Sequence, residues 1–220
     1  MKRIEHRFSQ RGVSLLFALL ALVALSLAAM GLVRTLGNTS LVTGNLGFKM
    51  DATGSADRGA EQAITWLQAN MAGTGLDANI VAAGYSATSL DALDPTGRNT
   101  TLNPRSVPDW NGDGCANVGG AFSCLTAPDV APTTPITLGS NQVSWFITRL
   151  CAAAGSKDAV GNSCATSLTS GTADDANSGG LDTSSPGGLV VATSSPYYRV
   201  IVRTVGGRNT VSYTETIVHF

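Results

Sequence analysis

Apolar residues form one long run near the start of the chain. No charged side chain lies between Arg11 and Arg34, and the residues in that interval, Val13–Val33, are mostly leucine, alanine and valine. A helix of this length is able to cross the hydrocarbon core of a bilayer. We therefore expect a transmembrane helix over residues 13–33.

The helix is expected to continue beyond the membrane. Small and apolar residues recur there at helical spacing as one stripe: Ala56, Ala60, Ala63, Ile64 and Leu67. Glycines also recur, and each one costs a helix about 0.5–1 kcal/mol relative to alanine. We expect one helix over residues 13–68 that is bent or partly loosened between Gly37 and Gly54.

Beyond residue 68 the pattern becomes loop-like. Residues 69–141 are rich in small and polar residues, which predicts loops with one or two short helices, one of them around Ser89–Leu93. Residues 152–196, and Ser170–Gly188 above all, are again low in complexity and predict a long exposed loop. Between these regions, β-branched and aromatic residues predict a strand over Asn141–Leu150.

A hairpin is predicted near the end of the sequence. Two strand-like runs, Tyr197–Val205 and Asn209–Val218, are separated by the short turn sequence Gly-Gly-Arg. Arg199 and Arg203 on the first strand are expected to face Glu215 on the second. A long helix followed by at least three antiparallel strands gives an α+β fold, with residues 69–220 as a globular domain with long loops.

The charge distribution indicates an orientation in the membrane. The chain carries 14 basic and 15 acidic residues. The basic residues include a cluster ahead of the apolar run: Lys2, Arg3, Arg7 and Arg11. Such an excess places the amino terminus in the cytoplasm and the rest of the chain across the membrane. The remainder is mildly acidic, so we expect no nucleic-acid partner.

A glycine stands between the basic leader and the apolar run. Secretory signals carry their cleavage site after the apolar region, where Leu27–Gly31 is a poor match. The order Gln10-Arg11-Gly12-Val13 before an apolar run resembles type IV prepilins, and Gln10–Leu16 resembles the PilX group of minor pilins. The resemblance covers residues 1–67 and, more loosely, Val143–Cys164 and Tyr197–Ser212.

The resemblance implies a processing reaction and a place in the cell. A prepilin peptidase would remove residues 1–12 after Gly12, and Val13 would become an N-methylated amino terminus. The kept helix would pack its second half on a C-terminal antiparallel sheet. The single-pass protein would lie in the inner membrane and then at the pilus tip.

The resemblance also implies partners and a function. The partners would be other minor pilins, the major pilin and a large tip adhesin. The protein would help to initiate type IV pilus assembly and so support adhesion and twitching motility. Two alternatives stay open. One is a tip pseudopilin of type II secretion, and the other is a periplasmic binding module that is held by a signal anchor and never polymerises.

The fifth residue after the expected cleavage site is Phe17. Most pilins of the superfamily carry glutamate there, and its carboxylate is thought to neutralise the terminal ammonium of a subunit already in the filament. An unpaired charge among apolar helices costs several kcal/mol, so this pairing favours adding a new subunit beneath an old one. The resemblance implies that a subunit with Phe17 is placed first, at the tip. Alternatively, phenylalanine simply suits a membrane helix.

All four cysteines follow the predicted helix: Cys115, Cys124, Cys151 and Cys164. An oxidising compartment would pair them, and four cysteines allow three connectivities. We favour the pairing of sequence neighbours because it has the smaller loop-closure cost. Zinc is the alternative, but the spacing has no Cys-x-x-Cys pair to support it.

One motif is typical of a calcium loop. Asp109, Asn111 and Asp113 alternate ahead of Gly114, as at the start of a D-x-[DN]-x-[DN]-G motif. The twelfth position is Gly120 in place of the bidentate glutamate, so another donor such as Asp129 would be needed. Such clusters also form ordinary turns, and an empty turn is the alternative. Otherwise we expect no cofactor.

Residue types for catalysis are scarce. After the leader, His219 is the sole histidine, and Glu61 and Glu215 are the only glutamates. A Ser/His/Asp arrangement would need the end of the chain to fold into a cleft. We therefore expect a protein that is not an enzyme.

Overall fold

The computed structural model describes residues 13–166 and 195–220. The chain divides into two compact units, the first ending at Gly47 and the second comprising Phe48–Phe220. One α-helix, α1 (Val13–Asn70), begins in the first unit and ends in the second. The loop expected at Ser170–Gly188 lies outside the described residues.

The helix α1 is continuous. Every residue from Val13 to Asn70 is α-helical, so the loosening expected between Gly37 and Gly54 is wrong. The reason is that a helical glycine lowers stability by only about 1 kcal/mol, which about sixteen intact turns can absorb. At Gly37, Gly44 and Gly54 an added Cβ would meet nothing within 4 Å, so local space does not require glycine there.

After α1 the described residues form seven strands. In chain order they are β1 (Tyr85–Ser86), β2 (Ser106–Pro108), β3 (Ser123–Leu125), β4 (Ile136–Leu138), β5 (Asn141–Arg149), β6 (Tyr198–Val205) and β7 (Val211–Val218). Short 3₁₀ turns lie at Val81–Ala83 and Gly207–Asn209. The helix expected around Ser89–Leu93 is wrong: Leu93 instead forms an isolated bridge with Ser106.

The main sheet has the order β1-β5-β6-β7, with β4 also paired to β5. Strands β5, β6 and β7 are antiparallel, as expected, and β4 pairs antiparallel with the start of β5. The short β1 pairs parallel with the end of β5. The fold is therefore α+β, and the sheet is mixed where an antiparallel sheet was predicted.

The sheet has a packed layer on each face. On one face, the buried stripe of α1 (Ala56, Ala60, Ala63 and Leu67) packs with buried residues of β5 and β6, including Val143, Val200 and Val202. On the opposite face, Phe146 and Ile201 pack against Trp110 and Leu93 from the loops. Alternating strand residues point to opposite faces, so β5 and β6 supply both cores.

The loop-covered face also carries a small second sheet. Strands β2 and β3 pair parallel, with Val107 opposite Cys124. Farther along, the end of β5 is extended by a bridge between Cys151 and Cys164, and Thr166 forms an isolated bridge with Pro196. The chain therefore leaves the described fold and returns to it at adjacent points.

Candidate functional site

The first part of α1 presents an apolar surface. Large apolar side chains from Val13 onward are exposed, among them Phe17 at 65%. The hydroxyl of Ser26 donates to the carbonyl of Leu22 at 2.8 Å, and that of Thr35 donates to Gly31 at 3.0 Å. Each of these hydroxyls has its hydrogen-bond partner within the helix, so a lipid environment would not leave it unsatisfied.

In the described residues α1 is the one helix that is long and apolar enough to span a membrane, by length and composition. Its described part starts at Val13, because residues 1–12 lie outside the described residues. Gly12 lies outside the described residues, and cleavage there stays a prediction. The same is true of the role expected for Phe17.

Disulfides join Cys115 to Cys124 and Cys151 to Cys164. This is the pairing of sequence neighbours that was expected. The first bridge ties the segment after Asp109 to β3, and the second closes the turn that follows β5. Each bridge restricts the unfolded chain and so stabilises the loop that it closes, by about 2–3 kcal/mol.

The Asp109 segment is a tight turn held by its own backbone. The two carboxylate oxygens of Asp109 accept hydrogen bonds from the backbone N–H of Asp113 (3.0 Å) and Gly114 (2.9 Å). Asp113 accepts from the side chain of Asn117 at 3.3 Å, and Asn111 is exposed. These contacts are those of an aspartate-closed turn.

Within residues 13–166 and 195–220, no group of three or more His, Cys, Asp or Glu side chains could hold a metal ion. A calcium site at this turn would therefore depend on Asn111, backbone carbonyls and water in addition to the carboxylates of Asp109 and Asp113. Calcium binding by Asp109, Asn111 and Asp113 stays a prediction.

A cleft of about 860 Å³ lies beside this turn. One side is formed by the turn around Asp109–Gly114, and another by the segment Thr126–Pro135. Side chains of β5 and β6 also line it: Gln142, Arg203 and Val205. A second hollow, of about 560 Å³, shares four residues with the cleft: Asp109, Trp110, Asn111 and Arg203.

The cleft is held in place by the second core. Trp110 is 8% exposed, and its indole N–H donates to the carbonyl of Pro95 at 2.8 Å. Its ring packs edge-on against Tyr213 of β7, with centroids 6.0 Å apart. Trp110 is thus an anchor for the loop and has little free face for stacking on a ligand.

A second polar cluster lies at the other end of the sheet. Arg149 is 2% exposed, donates to the carbonyls of Ala87 (3.0 Å) and Gly155 (2.6 Å), and lies 3.1 Å from the carboxylate of Asp77. Nearby, burial raises the pKa of Tyr85, although the charge of Arg149 acts in the opposite direction. The hydroxyl of Tyr85 donates to the carbonyl of Leu76 at 2.8 Å. This cluster joins loops to the sheet and is structural.

The structure also gives the positions of the residues considered for catalysis. His219 packs against Tyr197, with ring centroids 5.0 Å apart, and Glu215 forms an ion pair with Arg199. Glu61 is exposed on α1. These three side chains are each engaged or placed separately, and the Asp109 motif lies beside the cleft.

Sequence reasoning missed Arg203 as a cleft residue. It was expected to face Glu215, but the side chain of Glu215 bonds Arg199 on both of its oxygens at 2.8 Å. Arg203 and Arg199 flank Ile201, which is the cross-strand partner of Glu215. The sequence therefore offered Arg199 and Arg203 as equivalent partners for Glu215. The contacts in the structure show that Arg199 is the partner.

Comparisons with family models, with curated proteins and with solved structures find no match for this chain. The function is therefore argued from the residues and their arrangement.

Proposed function

We propose that the protein is a minor pilin that is stored in the inner membrane and takes part in starting a type IV pilus. The observation that supports this most is α1 itself. In the sequence the apolar run follows directly after the Arg11-Gly12 pair. In the structure α1 exposes the apolar side chains of this run, and its second part carries the stripe that packs on a sheet. One helix thus combines a membrane segment with a structural element of the globular unit.

Such a helix has a use beyond targeting only if it is kept. In the proposed mechanism, a prepilin peptidase cuts after Gly12 and leaves Val13 as the new amino terminus. The apolar residues Val13–Val33 then pack against the helices of other minor pilins and of the major pilin. Helix packing of this kind is driven by close contact of small and apolar residues.

The place of the subunit follows from Phe17. Without a carboxylate at this position, the subunit has no group to neutralise the terminal ammonium of a predecessor. The protein would therefore be added first and would sit at the tip with a large adhesin. Adhesion and twitching motility would follow from the pili that this complex starts.

Mass spectrometry of the mature chain tests the proposal. We expect an amino terminus at Val13, carrying a methyl group, in protein taken from the membrane and from sheared pili. A change of Gly12→Leu should leave the leader in place, whereas Gly31→Leu, at an open position in α1, should be processed normally. An intact leader in the wild-type protein would indicate a signal anchor, and cleavage near Met30 would indicate secretion; either result refutes the proposal.

Fractionation separates the pilus from the secretion system. The proposal requires the protein in sheared pili and a loss of pili on its deletion. Its presence with secretion machinery, together with normal pili in the deletion strain, would instead favour the type II tip pseudopilin.

A further inference from the structure

Arg203 differs from the other arginines that are not exposed. In the described residues these are Arg105, Arg149, Arg199 and Arg203. The first three form ion pairs with Asp94, Asp77 and Glu215, at 3.5, 3.1 and 2.8 Å respectively. Arg203 forms none with the part of the chain that the structure describes.

The guanidinium of Arg203 keeps unused hydrogen-bonding capacity. Its Nη1 donates one long hydrogen bond, 3.5 Å, to the carbonyl of Trp110. Its Nε is buried and has no acceptor among the described residues. The guanidinium carries a positive charge and five N–H donors, and it has no acceptor of its own. A buried donor without an acceptor is unfavourable, and an anion beside the guanidinium is attracted by its charge.

The position of Arg203 lets an anion reach it from the cleft. Arg203 lines both the cleft and the smaller hollow beside it. In β6 it is paired on one side with Ser144 of β5 and on the other with Tyr213 of β7. Because β5 and β6 are both internal to the sheet, their backbone groups are already used, and an added peptide strand finds no free edge in the cleft.

The remaining cleft wall carries the carboxylate of Asp109, whose oxygens accept from the backbone N–H groups of Asp113 and Gly114, and otherwise neutral polar side chains. Asn111 and Thr134 are exposed there, and Thr126 is half-buried. Gln142 donates through Nε2 to Thr137 at 2.9 Å, which leaves its carbonyl oxygen to accept. Amides and hydroxyls around one cation, with the carboxylate of Asp109 already engaged by backbone N–H groups, suit a molecule that has several hydroxyl groups and one carboxylate.

We propose that this cleft binds a small acidic sugar, with the carboxylate of a uronic acid on the guanidinium of Arg203 and its hydroxyls on the amides and hydroxyls of the wall. A volume of about 860 Å³ is ample for one sugar unit. The carboxylate accepts from the part of the guanidinium that lines the cleft, and a charge-assisted pair with a guanidinium favours it over a neutral oxygen. This site is independent of the pilin proposal, because it lies wholly in the second unit.

Ligands that differ in one group test the proposal on the wild-type protein. The full chain, in detergent or nanodiscs, is titrated by calorimetry or ligand-observed NMR with galacturonate, its methyl ester, galactose and acetate. We expect saturable binding of galacturonate, and binding weaker by about tenfold or more for the uncharged ester and for galactose. Equal binding of the ester would refute a role for the charge, and equal binding of acetate would refute the sugar. No saturable binding of galacturonate would refute the site.

Variants then locate the site. Arg203→Gln should weaken galacturonate by about tenfold or more and leave the ester unchanged. Arg199→Gln, on the same strand but ion-paired to Glu215, should bind as the wild type does. Arg203→Lys keeps the charge and should retain part of the affinity. Unchanged binding in a folded Arg203→Gln protein would overturn the assignment, and if that variant does not fold, the ester comparison still decides.

Discussion

Asn141, the first residue of β5, donates from its side-chain amide to the carboxylate of Asp51 on α1 at 2.8 Å. The same nitrogen lies 2.7 Å from the hydroxyl of Ser55, one turn further along α1. Asn141 is 1% exposed, and its neighbours on this face are the apolar residues of the helix–sheet core. This polar contact therefore fixes one register of α1 on the sheet, which the apolar stripe alone does not specify.

Removing the amide of Asn141 should destabilise the second unit. We expect Asn141→Ala to lower the free energy of unfolding by about 1–3 kcal/mol, because buried hydrogen bonds are lost and Asp51 is left with fewer donors. Asn141→Asp should cost more at pH 7, since two carboxylates would meet, and should recover on acidification. Chemical unfolding at pH 7 and 4 measures both. Ser140→Ala, at the exposed neighbour whose hydroxyl lies 3.5 Å from the same carboxylate, is the control and should change little.

Two glycines of α1 should respond in opposite ways to alanine. A Cβ at Gly59 would lie 2.5 Å from Cγ1 of Val143 and 3.1 Å from Cγ1 of Val202, so the helix and the sheet would have to separate. We expect Gly59→Ala to cost about 1–3 kcal/mol through overpacking. At Gly54 nothing lies within 4 Å, and alanine should stabilise the helix by about 0.5–1 kcal/mol.

Thermal unfolding of the two variants under the same conditions tests both predictions. A stabilised Gly59→Ala protein would contradict the close helix–sheet packing. A destabilised Gly54→Ala protein would contradict the open surface at that position.

The two well-formed arginine ion pairs should differ in strength. Arg149 is buried among four acceptors on three segments, so Arg149→Met should cost about 3–5 kcal/mol by leaving Asp77 and several carbonyls unpaired. The Arg199–Glu215 pair lies at the surface, and Arg199→Met should cost less than about 1 kcal/mol. Denaturant titration gives both values, and equal losses would show that burial does not govern these pairs.

Stability should fall at alkaline pH. Burial raises the pKa of Tyr85, and likewise that of Tyr198, above the ordinary value of 10.0. The unfolded chain therefore releases these protons at lower pH than the folded chain does, and the stabilisation present below pH 10 is lost as the pH rises further. Melting curves between pH 8 and about 11 should show this loss. Replacing both tyrosines by phenylalanine should flatten it, and an unchanged slope would contradict the assignment.

The prediction for Phe17 depends on the proposed pilin function. Phe17→Glu should leave membrane insertion of α1 largely intact, because a single carboxylate near a helix end is tolerated when it can pair. Its place in the tip complex should change, since the new carboxylate can accept the terminal ammonium of another subunit. Cross-linking within purified tip complexes measures the order of subunits. Unchanged contacts between the subunits would contradict the proposal that residue 17 determines the position of the subunit.

Strong periodic patterns were enough to predict the elements that form the frame of the fold. The helix, predicted to end at residue 68, ends at Asn70, and the strand predicted from Asn141 ends at Arg149. The hairpin strands were predicted within two residues of the observed β6 and β7. In each case many residues carry the same signal, which local propensity and burial both reinforce.

The elements that were missed depend on contacts distant in sequence. Strand β1 has two residues and exists because it pairs with Ile147 and Thr148 of β5. The parallel pair of β2 and β3 lies in a region whose composition predicts loops. The second core draws Leu93 and Trp110 from such loops. The cleft, and the lack of an ion pair to Arg203 among the residues that the structure describes, follow from this tertiary arrangement, so sequence spacing could not predict them.

The bridge between Thr166 and Pro196 places the two ends of an inserted stretch side by side. The entropic cost of closing a loop grows only slowly with the length of the loop. The number of residues between Thr166 and Pro196 can therefore change at little entropic cost to the described scaffold.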